Sequence, residues 1–274
     1  MANEQPKPVN ITVIRVLIAA VIVAAIVFFY WKPAKEEEQN VSLPAPTAEL
    51  EAEQTAAPEP ERPVYEPPKP EPQEEPLPPL SDSDPSVMDA FAKLAADAPT
   101  MMVPEEVVRK FVRAANAIEE GKIVHEYRPL VSPAPPFQAT RDGTLEDQQG
   151  QQYILSPDNY RRYDKYVTTL EAIDTDALIA IYKRFYPLLE EAYGEMGLKK
   201  GNFHTVMLGA IDNLLAAPVV DGEILLVRPK VFYQYADPAL EKLPSSHKLL
   251  LRMGPDNTRR VHAKLREIRA RLAE

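Results

Sequence analysis

The sequence predicts a mainly α-helical domain with a small antiparallel β element, preceded by one N-terminal transmembrane helix and a disordered Pro/Glu-rich linker. Three observations carry that prediction. Residues 11–31, ITVIRVLIAAVIVAAIVFFYW, are apolar apart from Thr12 and Arg15. The segment after them is dense in proline and carboxylate and contains no glycine. Beyond it, apolar residues recur at three- and four-residue spacing between helix-starting and helix-stopping residues. The expected organisation is a short tail over 1–10, an anchor over 11–31, a spacer over 32–84 and a helical globular domain over 85–274.

At the rise of an α-helix, the anchor segment reaches about 31 Å, close to the ~30 Å hydrocarbon core of a bilayer. A cleaved signal peptide would have a shorter apolar run ending in small residues. Here the run ends in Phe28, Phe29, Tyr30 and Trp31, followed by Lys32, which suits a belt at headgroup level. Arg15 lies one turn inside, where its guanidinium can snorkel to the interface. Basic residues tie across the span, Lys7 and Arg15 against Lys32 and Lys35. The short tail favours an N-terminus left in the cytoplasm and export of the rest. With no cysteine, no disulfide framework exists in either compartment. Ala20 and Ala24 have the spacing of small residues at helix contacts in lipid, although alanine is common in membrane spans generally.

From Pro33 to Ser86, 14 of 54 residues are proline, and 14 acids face three bases. Such a segment buries too little apolar surface to offset its ordering entropy, so it is expected to be disordered. Proline biases it toward polyproline II and like charges extend it, which makes a stiff spacer. PPKP and PLPP also have the form of peptide ligands, but proline-rich linkers contain such strings by chance. The spacer carries −11 of the chain's −10, so residues 87–274 are near neutral and give no basic footprint for nucleic acid.

In the domain, Asp84 and Pro85 predict an N-cap and first-turn proline before SVMDAFAKLAAD. Pro104, Glu105 and Glu106 open a second helix with Val107, Val108, Phe111, Val112, Ala115 and Ile118 on one face, stopped by Gly121. Ser156 and Pro157 start a third toward Tyr166 and Leu170. Asp174 or Thr175 caps a long helix through Met196, with Gly197 after it and Pro187 inside it. Phe203, Val206, Met207, Ala210, Ile211, Leu214 and Leu215 define the next core helix. The β signal is confined to two pairs of short pieces. One pair, Phe137–Thr140 and Gln152–Leu155, predicts a hairpin; the other, Glu223–Val227 and Val231–Tyr235, is split by Pro229. The chain closes with Ser246–Met253, a Gly254 stop and a helix from Pro255, whose Val261, Leu265, Ile268 and Leu272 oppose a basic face that includes Lys264.

No catalytic, metal or cofactor motif is present. His125, His204, His247 and His262 show no ligand spacing; His204 and Asp212 share one side of a helix but two groups do not make a site. Asp174 with Asp176 reads as helix capping, and Glu190 with Glu191 as an exposed face. The C-terminal helix is basic, which admits an anionic lipid surface as a minor reading beside a solvated face. Tyrosine is the unusual feature: Tyr153, Tyr160, Tyr163, Tyr166, Tyr182, Tyr186 and Tyr193 crowd one stretch. They either close a helical core or, with nearby arginines, form a groove for a glycan, peptide or anionic polymer. The candidate binding surface is Tyr160, Arg161, Tyr163, Arg228, Lys230, Tyr233 and Tyr235.

SPDNYRRYDKYVTTLEAIDTDALIAIYKRFYPLLEEAYGEMG from Ser156 and VRPKVFYQYADPALEKLPSSHKLLLRMGPDN from Val227, behind an anchor and a Pro-rich spacer, resemble a bacterial family, domain of unknown function 3014. The resemblance covers most of residues 80–274. It implies a Gram-negative envelope protein and transfers no catalytic residue. The functional expectation is a single-pass inner-membrane protein displaying a periplasmic binding or scaffold domain to an envelope protein or polymer. Nucleic acid, a cofactor and a metal are not expected, and the oligomeric state is open. An enzyme acting on an envelope polymer is the competing class. A transducer resembling the TonB type is a third, disfavoured because the span lacks a histidine or acid to respond to a proton gradient.

Overall fold

The computed structural model describes residues 64–68, 76–147, 150–198 and 201–274, all within the unit Glu59–Glu274. The expected anchor over 11–31 and most of the expected spacer lie outside the described residues. Among the described residues, no helix is long and apolar enough to cross a membrane.

Helix boundaries follow the proline and glycine punctuation. Helix α1 (Asp84–Leu94) has Pro85 in its first turn, and the short α2 (Ala98–Met101) follows. Asp84 does not cap its own helix, because Ser83 holds that position. Its carboxylate instead accepts from Glu106 N and Val107 N, both at 2.8 Å, and so satisfies the start of α3 (Val107–Glu119). Glu106 permits this by adopting φ 52°, which turns both amides toward Asp84. Gly121, at φ 75°, ends α3 as expected.

Helix α4 (Asp158–Ala172) starts after Ser156 and Pro157. Helix α5 (Thr175–Glu195) contains Pro187 and is capped by Asp174, whose Oδ1 accepts from Ala177 N at 2.8 Å. Helix α6 (Phe203–Leu215), α7 (Pro238–Glu241), α8 (Ser245–Met253) and α9 (Pro255–Leu272) complete the helical part. Strands β1 (Ala139–Asp147), β2 (Gly150–Leu155), β3 (Leu225–Val227) and β4 (Gln234–Tyr235) pair antiparallel in the order β1-β2-β3-β4. The expected hairpin forms, with Ala139 opposite Leu155, and the two extended pieces around Pro229 pair with each other as well, with Leu226 opposite Tyr235. Their union into one sheet, with Ile154 opposite Leu225, was not legible from either pair alone.

The main core lies among α3, α5, α6 and α9, where Val112, Phe203 and Leu208 are fully buried. Tyr182, Tyr186 and Tyr193 close this core, as their shared helical face allows. The Tyr182 hydroxyl meets His204 Nδ1 at 3.0 Å, and the Tyr186 hydroxyl donates to Glu190 at 2.7 Å. A second cluster, Leu155, Ile224, Leu226, Tyr235 and Leu251, fastens the sheet to α8. A third joins α4, α8 and α9 through Val167, Leu250, Met253 and Val261.

Two polar expectations change here, those for Glu190 and Lys264. Glu190 does not sit on an exposed face: it turns inward because its carboxylate also accepts from Phe203 N at 3.0 Å, satisfying the start of α6. Lys264 leaves the solvated face of α9 and is buried, its Nζ donating to Ile173 O at 2.6 Å and Thr175 Oγ1 at 2.7 Å and pairing with Glu267 at 3.2 Å. Two acceptors at the α4–α5 junction and the Glu267 carboxylate one turn along α9 replace the water it gives up. His247 and His262 are buried too, and each places Nε2 on a last-turn carbonyl of α6, Asn213 O at 2.9 Å and Leu214 O at 3.0 Å. His204 and Asp212 do not converge, since Asp212 pairs with Arg269.

Candidate functional site

A cleft and an arginine–aromatic surface lie on either side of the segment that leads into β1. The cleft holds about 290 Å³ and is lined by Ala134, Pro135, Gln138, Asp158, Arg161 and Arg162. Its walls are the first turns of α4 and the segment that leads into β1. The fully buried Asn159 ties these walls together. Its Oδ1 accepts from Gln138 N at 2.9 Å, and its Nδ2 donates to Gln138 O and to Ser156 O. Arg162 adds Nη1 to Asn159 Oδ1 and Nη2 to Pro133 O, both at 3.1 Å, while its buried Nε has no partner among the described residues. Tyr166 donates to Val131 O at 3.0 Å from the next turn of α4. Two backbone stretches are thus held apart at fixed spacing, with a guanidinium in the wall.

Beside the cleft, Phe137 continues onto the sheet. Its ring lies 5.7 Å from that of Tyr233, which meets Tyr153 edge-on at 5.1 Å. Arg228 covers Tyr233 at 5.4 Å and donates Nε to Val231 O at 3.2 Å, closing the β3–β4 loop. Val231 and Phe232 on this loop face outward, and Phe232 is 82 % exposed. Lys230 is exposed on the same loop. The result is a half-exposed aromatic patch with cations at its rim, a geometry suited to stacking on a ring-bearing ligand and to pairing with its acidic groups.

The seven sequence-selected residues divide between these roles. Arg228 and Tyr233 come together, Lys230 stays beside them, and Arg161 stands at the cleft mouth in an ion pair with Asp158. Tyr160, Tyr163 and Tyr235 are structural. The Tyr160 ring lies against Gly254 so closely that a Cβ there would meet it at 2.5 Å, and its carbonyl accepts from Asn257 at 3.0 Å. Tyr163 lies under Arg162 at 5.7 Å, and Tyr235 is buried with its hydroxyl on Lys248 O. Burial raises the pKa of all three phenols, so they stay neutral.

Phe137 and Phe232 were missed, while Tyr153 and Arg162 belong to the wider tyrosine–arginine groove but not to the seven selected residues. Phe232 was findable, since it alternates with Tyr233 on a short extended piece where one of two neighbours must face out. Phe137 and Tyr153 needed the sheet register. Among the described residues, no group of three or more His, Asp or Glu side chains is placed to hold a metal ion.

A family model described as "Protein of unknown function (DUF3014)" matches residues 107–269, a span that contains the cleft, the sheet and most of α9. No curated protein and no solved structure matches the chain.

Proposed function

We propose, for a chain that belongs to the DUF3014 family of proteins of unknown function, that the domain is a binding or scaffold module that recognises an acidic, ring-bearing envelope polymer. Residues 11–31 anchor the chain in the inner membrane, and the acidic spacer displays the domain in the periplasm. The observation that carries the binding reading is the Arg228–Tyr233 stack, extended by Phe137 and Tyr153 and flanked by the exposed Phe232. An aromatic face offers sugar rings a stacking surface, and the cations at its rim meet carboxylates. An enzyme would need an acid held in a separate environment within the cleft. Asp158, the carboxylate that lines the cleft among the described residues, is instead half-exposed and paired with Arg161.

The test is co-sedimentation of the full chain, in detergent, with isolated cell-wall sacculi. The wild-type chain should pellet with the sacculi, and the Arg228→Ala/Tyr233→Ala double variant should stay in solution. Wild-type protein remaining in the supernatant would sink the polymer reading and leave a protein partner. Release of soluble fragments from the sacculi would replace binding with catalysis. Compartment is tested separately by protease access to a C-terminal tag. Digestion is expected once the outer membrane is breached; protection until the inner membrane dissolves would put the domain in the cytoplasm.

A further inference from the structure

Near the last turn of α9, a piece of the proline-rich spacer is seated on the domain. Val64–Pro68, VYEPP, runs across the start of α6, and Tyr65 packs against the main core. Asn202 caps α6, with Oδ1 accepting from Thr205 N at 2.9 Å. That leaves its Nδ2 free to donate to Tyr65 O, which it does at 2.9 Å. The Thr205 hydroxyl accepts from Tyr65 N at 3.1 Å. Two side chains one turn apart therefore satisfy both main-chain groups of a single residue, as a neighbouring strand would. Arg269, positioned by its pairing with Asp212, reaches the Tyr65 hydroxyl at 3.4 Å. The recognised segment is preorganised, because Glu66 precedes Pro67 and Pro68 and is confined to extended backbone.

We propose that Asn202, Thr205 and Arg269 form a recognition site for an extended tyrosine–proline peptide, occupied in cis by Val64–Pro68. The site reads backbone polarity through Asn202 and Thr205, ring and hydroxyl through the core edge and Arg269, and extension through the prolines. Its occupation shortens the free spacer to the residues before Val64. A partner bearing the same motif competes with the tether and lengthens the spacer. None of these residues belongs to the Arg228 surface, so the two sites stand or fall separately.

The test uses the full chain with VYEPP replaced by a Gly/Ser stretch of equal length, its fold checked by circular dichroism. A fluorescent peptide copying residues 61–70 should bind this opened chain saturably. The same peptide with Tyr65→Ala should bind at least about tenfold more weakly. The intact chain should also bind the peptide at least about tenfold more weakly, because a short tether supplies millimolar effective concentration. A folded opened chain that takes up no peptide at millimolar concentration overturns the proposal, as does equal binding by both chains. The absence of native cysteine allows a second measurement that leaves the strap intact: spin labels at Glu66→Cys and Ala270→Cys. One short, narrow distance is expected; a broad distribution overturns docking in cis.

Discussion

In the helical body, Tyr182 and Tyr186 are buried and their hydroxyls meet His204 and Glu190. On the sheet, Phe137, Tyr153 and Tyr233 pack ring to ring and stay half-exposed, with Arg228 over Tyr233 and Phe232 largely exposed. The same residue types are used in both places, but the body encloses its rings whereas the sheet, Tyr235 apart, leaves these partly open. Burying an aromatic ring with its polar atom satisfied stabilises the fold, whereas leaving its face open preserves area for a ligand. Mutation should therefore separate the regions, with large stability losses in the body and small ones on the sheet.

The largest effect is expected from Phe203→Ala. Phe203 is fully buried at the start of α6, with Phe111 and Tyr193 each 6.1 Å from its ring. Truncation should lower the unfolding free energy by about 3–5 kcal/mol through lost transfer energy and a residual cavity. Urea denaturation followed by circular dichroism reads this directly. A loss below about 1 kcal/mol would mean that the body can collapse around the gap, and the contrast with the sheet would fail.

Gly254→Ala comes next and probes the joint between the regions. Gly254 sits at φ 81° between α8 and α9, with the Tyr160 ring against it. A methyl group there meets both the disfavoured backbone conformation and the ring, and the expected loss is about 2–3 kcal/mol. The Gly254→Ala/Tyr160→Ala double variant should recover part of the ring's share and none of the backbone's. Full recovery would assign the whole effect to the ring.

Helix order was legible because punctuation and periodicity are local: Gly121, Pro157, Asp174 and Gly254 each act within a few residues of themselves. What stayed hidden depends on distant partners. Asp84 was placed at a helix start correctly but serves α3, because a cap is chosen by tertiary proximity. Lys264 looked like any basic residue on an amphipathic helix until the α4–α5 junction supplied its acceptors. The candidate site was half legible for the same reason. Arg228 and Tyr233 are close in sequence, whereas Phe137 and Tyr153 arrive only through β-sheet pairing. Composition marked the spacer as unable to fold by itself, which is a different property from being unable to dock; Tyr65 finds its partners on α6 and α9.

A smaller effect should appear with pH. Burial lowers the pKa of His204, which faces Tyr182, Tyr186 and the Leu272 carbonyl, and of His262, which faces Arg266, His247 and the Leu214 carbonyl. The folded state thus binds protons less readily than the unfolded chain, whose histidines titrate near 6.5. This contribution is complete above that value and is lost as pH falls through it toward the lower folded values. Glu171, Glu195, Glu241 and Glu267 are lowered from 4.5 by pairing and hydrogen bonds, so their contribution disappears in a second, more acidic window. Denaturation midpoints measured from pH 8 to 3 should fall in two stages. His204→Gln should flatten the first and leave the second; an unchanged first stage would assign it to His262.

The smallest expected stability change is that of Arg228→Ala, and it gives the sharpest form of the contrast. Arg228 is exposed, and its described partners are the Tyr233 ring and one loop carbonyl. Removing it should change unfolding free energy by no more than about 0.5 kcal/mol, as surface substitutions usually do. Retention on sacculi should nevertheless fall, since the lost group lies over the stacking face and no other cation covers Tyr233 among the described residues. Arg228→Lys discriminates between charge and shape. A lysine keeps the charge without the planar guanidinium, so partial retention would assign the remainder to stacking. If Arg228→Ala destabilises the domain by as much as Gly254→Ala, the cation is holding the β3–β4 loop in place. The sheet would then resemble the body in being built for stability, and its exposed rings would lose their claim to a ligand.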